Sequence, residues 1–347
     1  MTNYIGKGSI KNLSKILEYE KAKNIVVFTG KSSYETIRSI VEKELKNFSI
    51  KYYSDFSTNP KKEEIDIAIE NLKDDYDIIL AIGGGSVIDF AKAYRFYTRP
   101  LKLITVPTTC GTGSEATQFA VIYINGVKHS LDEASVLPDY AIVDSQFVEN
   151  NPKYLKACTA MDAFCQAIES YWAVKSTNES LNYAKQAIEL CIKNIVDYVN
   201  SNNPDSAENM ALASHLAGKA INISRTTASH ALSYKITSSY GIPHGHAVAL
   251  TIKNLIDINT NITSECCNDE RGVEYVKNKL VELKGFFPKN TADYFVELFN
   301  AISLDVDFKK LGIKNINDIV ENVNIERLSN NPKKLLKEDL FNLFHNK

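Results

Sequence analysis

Apolar and polar positions follow two rhythms along this chain, and the rhythm changes near residue 150. Before it, short apolar runs alternate with amphipathic stretches, the pattern of a parallel sheet covered by helices. KNIVVFT (Lys23 to Thr29) predicts a buried strand and Ser32 to Leu45 a helix; FSIKYYS (Phe48 to Ser54) predicts the next strand and Lys61 to Leu72 the next helix. DIILAIGGG is a strand running into three glycines, with a helix over Ser86 to Tyr94. KLITVPTT and Ala141 to Gln146 are further strands, and QFAVIYINGVKHSL carries the Asn-Gly signal of a hairpin at Asn125-Gly126.

After Asn150 the strand pattern stops and helical periodicity takes over. Amphipathic segments run over Tyr154 to Val174, Ser180 to Val199, Ser206 to Ile223 and Thr226 to Tyr240, and continue to Leu343. The last begins after a turn at Asn331-Pro332. The reading is therefore an α/β domain over 1–150 and an all-α domain over 151–347, with the boundary near Asn151-Pro152. A length of 347 residues agrees with two domains.

Composition narrows the partner. Forty Lys plus Arg against 42 Asp plus Glu leave a formal charge of −2, which is no footprint for nucleic acid or an anionic membrane. No apolar run approaches the roughly 20 residues that span a bilayer, and the first residues hold no hydrophobic signal core. A cytoplasmic protein acting on a small molecule is expected. Six cysteines without a CxxC pair predict free thiols, with Cys165 as a small core residue.

Two loops carry candidate binding chemistry. Gly83-Gly84-Gly85-Ser86 joins a strand to a helix, so bare backbone and unpaired N–H groups at the positive end of the helix dipole can cradle a diphosphate. A plain tight turn is the competing explanation. The second loop, from Pro107 to Glu115, follows another buried strand and offers Thr108, Thr109, Thr112 and Ser114 to the other end of the same ligand. It is neither a GxGxxG fingerprint nor a Walker loop.

A different chemistry is set out in the helical half. Asp162 and Gln166 lie four apart, on one face of a helix. His230 and His244 lie in one helix, turn, helix unit, SHALSYKITSSYGIPHGHAVAL. Together these four side chains can surround one metal ion.

GGGSVIDFAKA, PTTCGTGSEAT, LPDYAIVD, AMDAFCQAIESY and SHALSY...GIPHGHA, in that order, resemble the iron-containing alcohol dehydrogenase family over most of the chain. The resemblance implies a Rossmann-like dinucleotide-binding domain, a helical metal domain as in dehydroquinate synthases, and a nicotinamide cofactor in the cleft between them. Position by position it places the metal ligands on Asp162, Gln166, His230 and His244, where the family usually has His in place of Gln166. The family also usually has a second His where this chain has Tyr234. Three strong ligands suffice for Fe²⁺ or Zn²⁺, and a metal-free enzyme is the competing expectation.

The Gln variant, Arg225-Thr226-Thr227 and GIPHGHAVAL resemble the branch that reduces phosphonoacetaldehyde to 2-hydroxyethylphosphonate. Arg225, whose fork matches two phosphonate oxygens, is then the expected anchor, with Lys235 a lesser one. The proton is expected from Tyr234, from His246 or from a water chain. His246 reads equally well as a packed core histidine.

At the end of the first long strand, Gly30, Lys31, Ser32 and Ser33 present no acid to repel a 2′-phosphate, so NADPH is the expected cofactor, with NADH also admissible. Asp89, in the first glycine motif, and Lys128, in the hairpin, are further cofactor candidates, Lys128 near the ribose by resemblance. A general short-chain aldehyde reductase is the near alternative, and a dehydroquinate synthase-like lyase or a nucleotide-binding non-enzyme are the distant ones. A homodimer is expected from the family resemblance.

Overall fold

The computed structural model describes residues 1–31 and 34–344. Ser32, expected at the cofactor, lies outside the described residues, as does its neighbour Ser33. The chain forms two compact units, Met1–Asn151 and Pro152–Lys347.

The first unit contains, in chain order, β1 (Thr2–Ile5), α1 (Asn12–Tyr19), β2 (Asn24–Thr29), α2 (Arg38–Leu45), β3 (Ser49–Tyr53), α3 (Lys62–Asn71), β4 (Ile78–Gly83), α4 (Gly85–Tyr97), β5 (Lys102–Pro107), β6 (Phe119–Ile124), β7 (Val127–Asp132) and β8 (Tyr140–Val143). Six strands form one parallel sheet in the order β1-β8-β5-β4-β2-β3. Its central strands are apolar throughout because both faces are covered. Ile25, Val27, Leu80 and Ile82 pack with α1 and α2 on one side, while Val26, Phe28, Ile79 and Ala81 pack with α3 and α4 on the other. The doubly covered α/β sheet read from the pattern is the fold observed.

Two local expectations change. β1 was not anticipated: Thr2 and Asn3 disguise a four-residue edge strand that pairs only with β8. Regular helix begins at Arg38 rather than Ser32, because residues 34–37 form turns in which Tyr34 and Ile37 are buried. The hairpin β6–β7 turns at Asn125-Gly126, and both residues have positive φ, 51° and 76°, as the twist of a tight hairpin requires.

The second unit is helical: α5 (Lys153–Trp172), α6 (Asn178–Asn200), α7 (Pro204–Ser224), α8 (Ala228–Tyr240), α9 (His244–Thr260), α10 (Val273–Gly285), α11 (Thr291–Ala301), α12 (Ile316–Glu321), α13 (Ile325–Ser329) and α14 (Lys337–Asn342). α5 is its axis, packing against α6, α7, α9 and α10. That position buries nearly every side chain from Lys156 to Trp172. Polar groups on α5 are therefore held away from water and must find partners inside the bundle. Among the described residues no helix is long and apolar enough to cross a membrane, and all six cysteines are free.

Candidate active site

In the α/β unit the two loops meet directly. Thr108 N–H donates to the Gly83 carbonyl at 3.0 Å. A Cβ on Gly85 would lie 2.7 Å from both the Oγ1 and the Cγ2 of Thr112, and one on Gly83 would lie 2.4 Å from Val87 Cγ2. Two of the three glycines are thus required by contacts within the protein, a reason additional to any ligand. Gly84 caps α4 without a side chain, and Thr109 sits against it.

Several cofactor candidates are already engaged. Ser86 Oγ donates to the Thr58 carbonyl. Asp89 accepts from Ser114 Oγ at 2.5 Å and from Val121 N–H at 3.0 Å. Ser86, Asp89 and Ser114 hold backbone segments together here, because short polar side chains on packed loops find backbone partners. Thr108 Oγ1, by contrast, is buried without a hydrogen-bond partner, a polar atom that a bound ligand can satisfy.

Lys92 organises this region. It is fully buried, and its ammonium donates to the carbonyls of Ser114, Thr117 and Phe119 at 2.6, 2.8 and 2.9 Å. Burial pushes it down to about 8, while Asp89 and Glu115 pull it back up. Asp89 is pushed up by burial and held back by Lys92, Ser114 and Lys128. Lys128 therefore works on Asp89 rather than standing as a plain surface charge. At the end of β2, beyond Gly30, exposed Lys31 pairs with Asp55 at 3.3 Å. The acid missing from the local sequence is supplied from after β3.

The helical unit places its groups otherwise. Asp162, Gln166 and Glu169 lie on one face of α5, at i, i+4 and i+7. His230 comes from the first turn of α8, and His244 is the first residue of α9. Asp162 Oδ1 lies 3.4 Å from His230 Nε2 and 3.8 Å from His244 Nε2, and one ligand atom from each residue falls within 4.8 Å of the others. The Gln166 amide nitrogen donates to Asp162 Oδ1 at 3.2 Å, so the fourth candidate borders the same point.

Two features hold this arrangement, and neither was singled out in the sequence. Glu169, fully buried, accepts from His230 Nδ1, Thr227 Oγ1 at 2.7 Å and Ser229 N–H at 2.8 Å. With Nδ1–H turned to Glu169, Nε2 faces Asp162, the carboxylate–histidine arrangement found behind many metal ligands. Gly245 is the second. A Cβ there would lie 2.0 Å from the Cys158 carbonyl oxygen, so only glycine lets α9 approach α5 closely enough to bring His244 to Asp162.

The electrostatics follow. Burial alone disfavours every charge in the cluster. For Asp162, His244 and His230 outweigh burial and hold the carboxyl below its ordinary value. Burial works against protonation of His230, but Glu169 and Asp162 overcome it and raise the imidazole to about 9.

The remaining candidates separate clearly. Tyr234 stays beside the cluster, stacked on the His244 ring with centroids 6.1 Å apart at 16°. Burial raises its phenol against the pull of Arg327, whose guanidinium hydrogen-bonds it. His246 faces elsewhere, because two residues along a helix turn a side chain to the opposite face. Its Nε2 donates to the Asp305 carbonyl at 2.6 Å and its Nδ1 accepts from Tyr154 Oη at 2.9 Å; burial lowers its affinity for a second proton. Both ring nitrogens of His246 are thus engaged within the protein, the arrangement of a packed core histidine.

Arg225 ends α7 at φ 63°, ψ 177°, with its guanidinium donating to the carbonyls of Ile221 and Asn222. It closes the helix C-terminus, where orphan carbonyls and the negative dipole end attract it. Lys235 pairs with Asp318 at 2.9 Å.

Residues 2–145 match the family described as iron-containing alcohol dehydrogenase, and residues 156–347 match the Fe-containing alcohol dehydrogenase family, C-terminal. The chain belongs to the iron-containing alcohol dehydrogenase family. A phosphonoacetaldehyde reductase of Streptomyces viridochromogenes is 31% identical over 76% of this chain and 74% of its own. An NADPH-dependent butanol dehydrogenase of Clostridium saccharobutylicum is 28% identical over 98% and 95%. Among solved structures, sulfoacetaldehyde reductase from Bifidobacterium kashiwanohense in complex with NAD⁺ superposes with a TM-score of 0.88 at 28% identity, covering 99% of this chain and 96% of that one. As a member of the iron-containing alcohol dehydrogenase family, the chain is an oxidoreductase that works between small aldehydes and alcohols with a nicotinamide cofactor.

Proposed function

We propose that the enzyme reduces phosphonoacetaldehyde to 2-hydroxyethylphosphonate with NADPH, accepting NADH as well, at a divalent metal held by Asp162, His230 and His244 with Gln166 beside them. The observation that carries the metal reading is the donor set. One carboxylate and two imidazoles turn their lone pairs toward a single buried point, an arrangement that repels itself unless a proton or a cation stands between them. A turn of the Gln166 amide presents its oxygen to the same point.

When bound, the nicotinamide supplies a hydride and the metal supplies the positive charge that polarises the carbonyl oxygen. The chain's own groups do the rest. Glu169 fixes the orientation of His230, and Gly245 brings His244 against Asp162. Tyr234 is the proton-bearing group stacked at the edge of the cluster, and we assign it the delivery of the proton to the alcohol oxygen. In the α/β unit, the open N-terminus of α4 and the Thr108 hydroxyl suit a diphosphate. Lys31 suits a 2′-phosphate, and Asp55 beside it explains why NADH is also accepted.

The phosphonate substrate rests on the 31% identical reductase, supported by a structural neighbour that acts on another two-carbon aldehyde bearing a tetrahedral anion. The test is oxidation of NADPH and NADH with phosphonoacetaldehyde beside butyraldehyde, on protein loaded with Fe²⁺ or Zn²⁺ and on chelated protein. A strong preference for the phosphonate, lost on chelation, is expected. Equal or faster turnover of butyraldehyde leaves a general short-chain aldehyde reductase instead.

A further inference from the structure

With Arg225 turned onto its own helix, an anionic substrate needs another cation near the cluster. The six arginines differ in what they touch. Arg38, Arg95, Arg99 and Arg271 are paired with Glu42, Asp139, Asp75 and Asp269. Lys235, the nearest lysine in sequence to the cluster, is paired with Asp318. Arg327, on α13 and half-buried, has no carboxylate within 4.0 Å among the described residues; its guanidinium donates to the phenol oxygen of Tyr234.

That contact locates it. α13 packs against α8, and the Tyr234 ring on α8 lies parallel to the His244 ring with centroids 6.1 Å apart, so Arg327 borders the cluster of Asp162, His230 and His244 through Tyr234. The charge balance asks for a cation there too. Asp162 and Glu169 offset the charge of a divalent metal held there, so a doubly charged phosphonate needs a compensating charge of its own. A guanidinium has five N–H donors in a planar fork, enough to hold Tyr234 with one and two phosphonate oxygens with others.

We propose that Arg327 is the specificity residue of this enzyme, binding the tetrahedral anionic group of the substrate while it holds Tyr234 in place. The proposal rests on the phosphonoacetaldehyde reading above. It also accounts for Tyr234 standing where the family resemblance leads one to expect histidine, since a phenol, unlike an imidazolium, draws a guanidinium alongside.

The experiment compares wild type, Arg327→Gln and Arg327→Lys as full-length metal-loaded enzymes, with thermal melting to report folding. Steady-state constants are measured for phosphonoacetaldehyde and propionaldehyde, and binding of the product 2-hydroxyethylphosphonate is measured by calorimetry. In Arg327→Gln the ratio of kcat/KM for phosphonoacetaldehyde over propionaldehyde should fall by about 10²-fold, mostly through KM, with product binding lost in parallel. Arg327→Lys should recover part of both, keeping the charge without the fork. A folded Arg327→Gln enzyme with an unchanged ratio and unchanged product affinity overturns the proposal while leaving the phosphonate reading intact. Equal losses for the two aldehydes also overturn it, by showing that Arg327 acts only through Tyr234. A wild type indifferent to the phosphonate overturns both readings together.

Discussion

The glycine-loop region of the α/β unit and the histidine cluster of the helical unit both gather polar groups away from water, with opposite outcomes. Around Lys92 donors and acceptors are matched: one ammonium serves three carbonyls, and Asp89 takes up Ser114 and the Val121 N–H. Around Asp162 the acceptors outnumber the protons, since two imidazoles and two carboxylates face one another. Matched polar groups make a scaffold, and mismatched ones make a site. The comparison predicts that substitutions around Lys92 cost stability first, while substitutions around Asp162 cost activity first.

The largest effect should come from His230→Ala. On the metal reading, removing one of three ligands deprives the reaction of carbonyl polarisation worth several kcal/mol, so kcat/KM should fall by about 10³-fold, beyond what the stability cost of leaving buried Glu169 without its partner explains. A variant that keeps most of its activity would make the cluster a structural feature like its counterpart. Next in size is Lys92→Met, which leaves the carbonyls of Ser114, Thr117 and Phe119 without their donor and should cost about 3 kcal/mol in urea unfolding. The same lysine gives a pH signature. Its value of about 8 in the folded chain lies below the ordinary 10.5, so between these the unfolded chain holds more protons and stability rises with pH. Below pH 8 both states are charged and the penalty is full. Wild type should gain stability from pH 8 to 10, and Lys92→Met should gain less, keeping the part that buried Lys279, lowered to about 7, contributes.

Much of this was legible in the sequence, and the parts that were not share a cause. Apolar runs of four to six residues ending in glycine or proline announced the parallel sheet, and Asn125-Gly126 announced the hairpin. Asp162, His230 and His244 were picked out because spacing on a helix and a short interhelical turn are local facts. Glu169 escaped, although it is seven residues from Asp162 on the same face, because its partners Thr227, Ser229 and His230 lie about sixty residues away. Lys92 looks like an ordinary helix charge until its helix is seen buried. Arg327 escaped for the same reason: nearness in sequence favoured Arg225, while packing of α13 on α8 brings Arg327 to Tyr234.

Two milder substitutions sharpen the contrast. Glu169→Gln keeps an acceptor for His230 Nδ1 but removes the charge behind it, so affinity for Co²⁺ or Zn²⁺, measured by chelator competition, should weaken by about 10- to 100-fold. Unchanged affinity would reduce Glu169 to a packing group.

Arg225→Gly should have the smallest effect, and its sign is informative. Arg225 holds φ 63° with ψ 177°, a region that only glycine enters without strain, at a cost of about 1–3 kcal/mol. Its guanidinium offsets this by capping the carbonyls of Ile221 and Asn222, a gain of about 1 kcal/mol. Glycine removes both, so the melting temperature should stay the same or rise slightly. Because the guanidinium serves its own helix, KM for phosphonoacetaldehyde should be unaltered. A large rise in KM in a stable Arg225→Gly enzyme would return the anchor to Arg225 and place the substrate at the end of α7 rather than under α13.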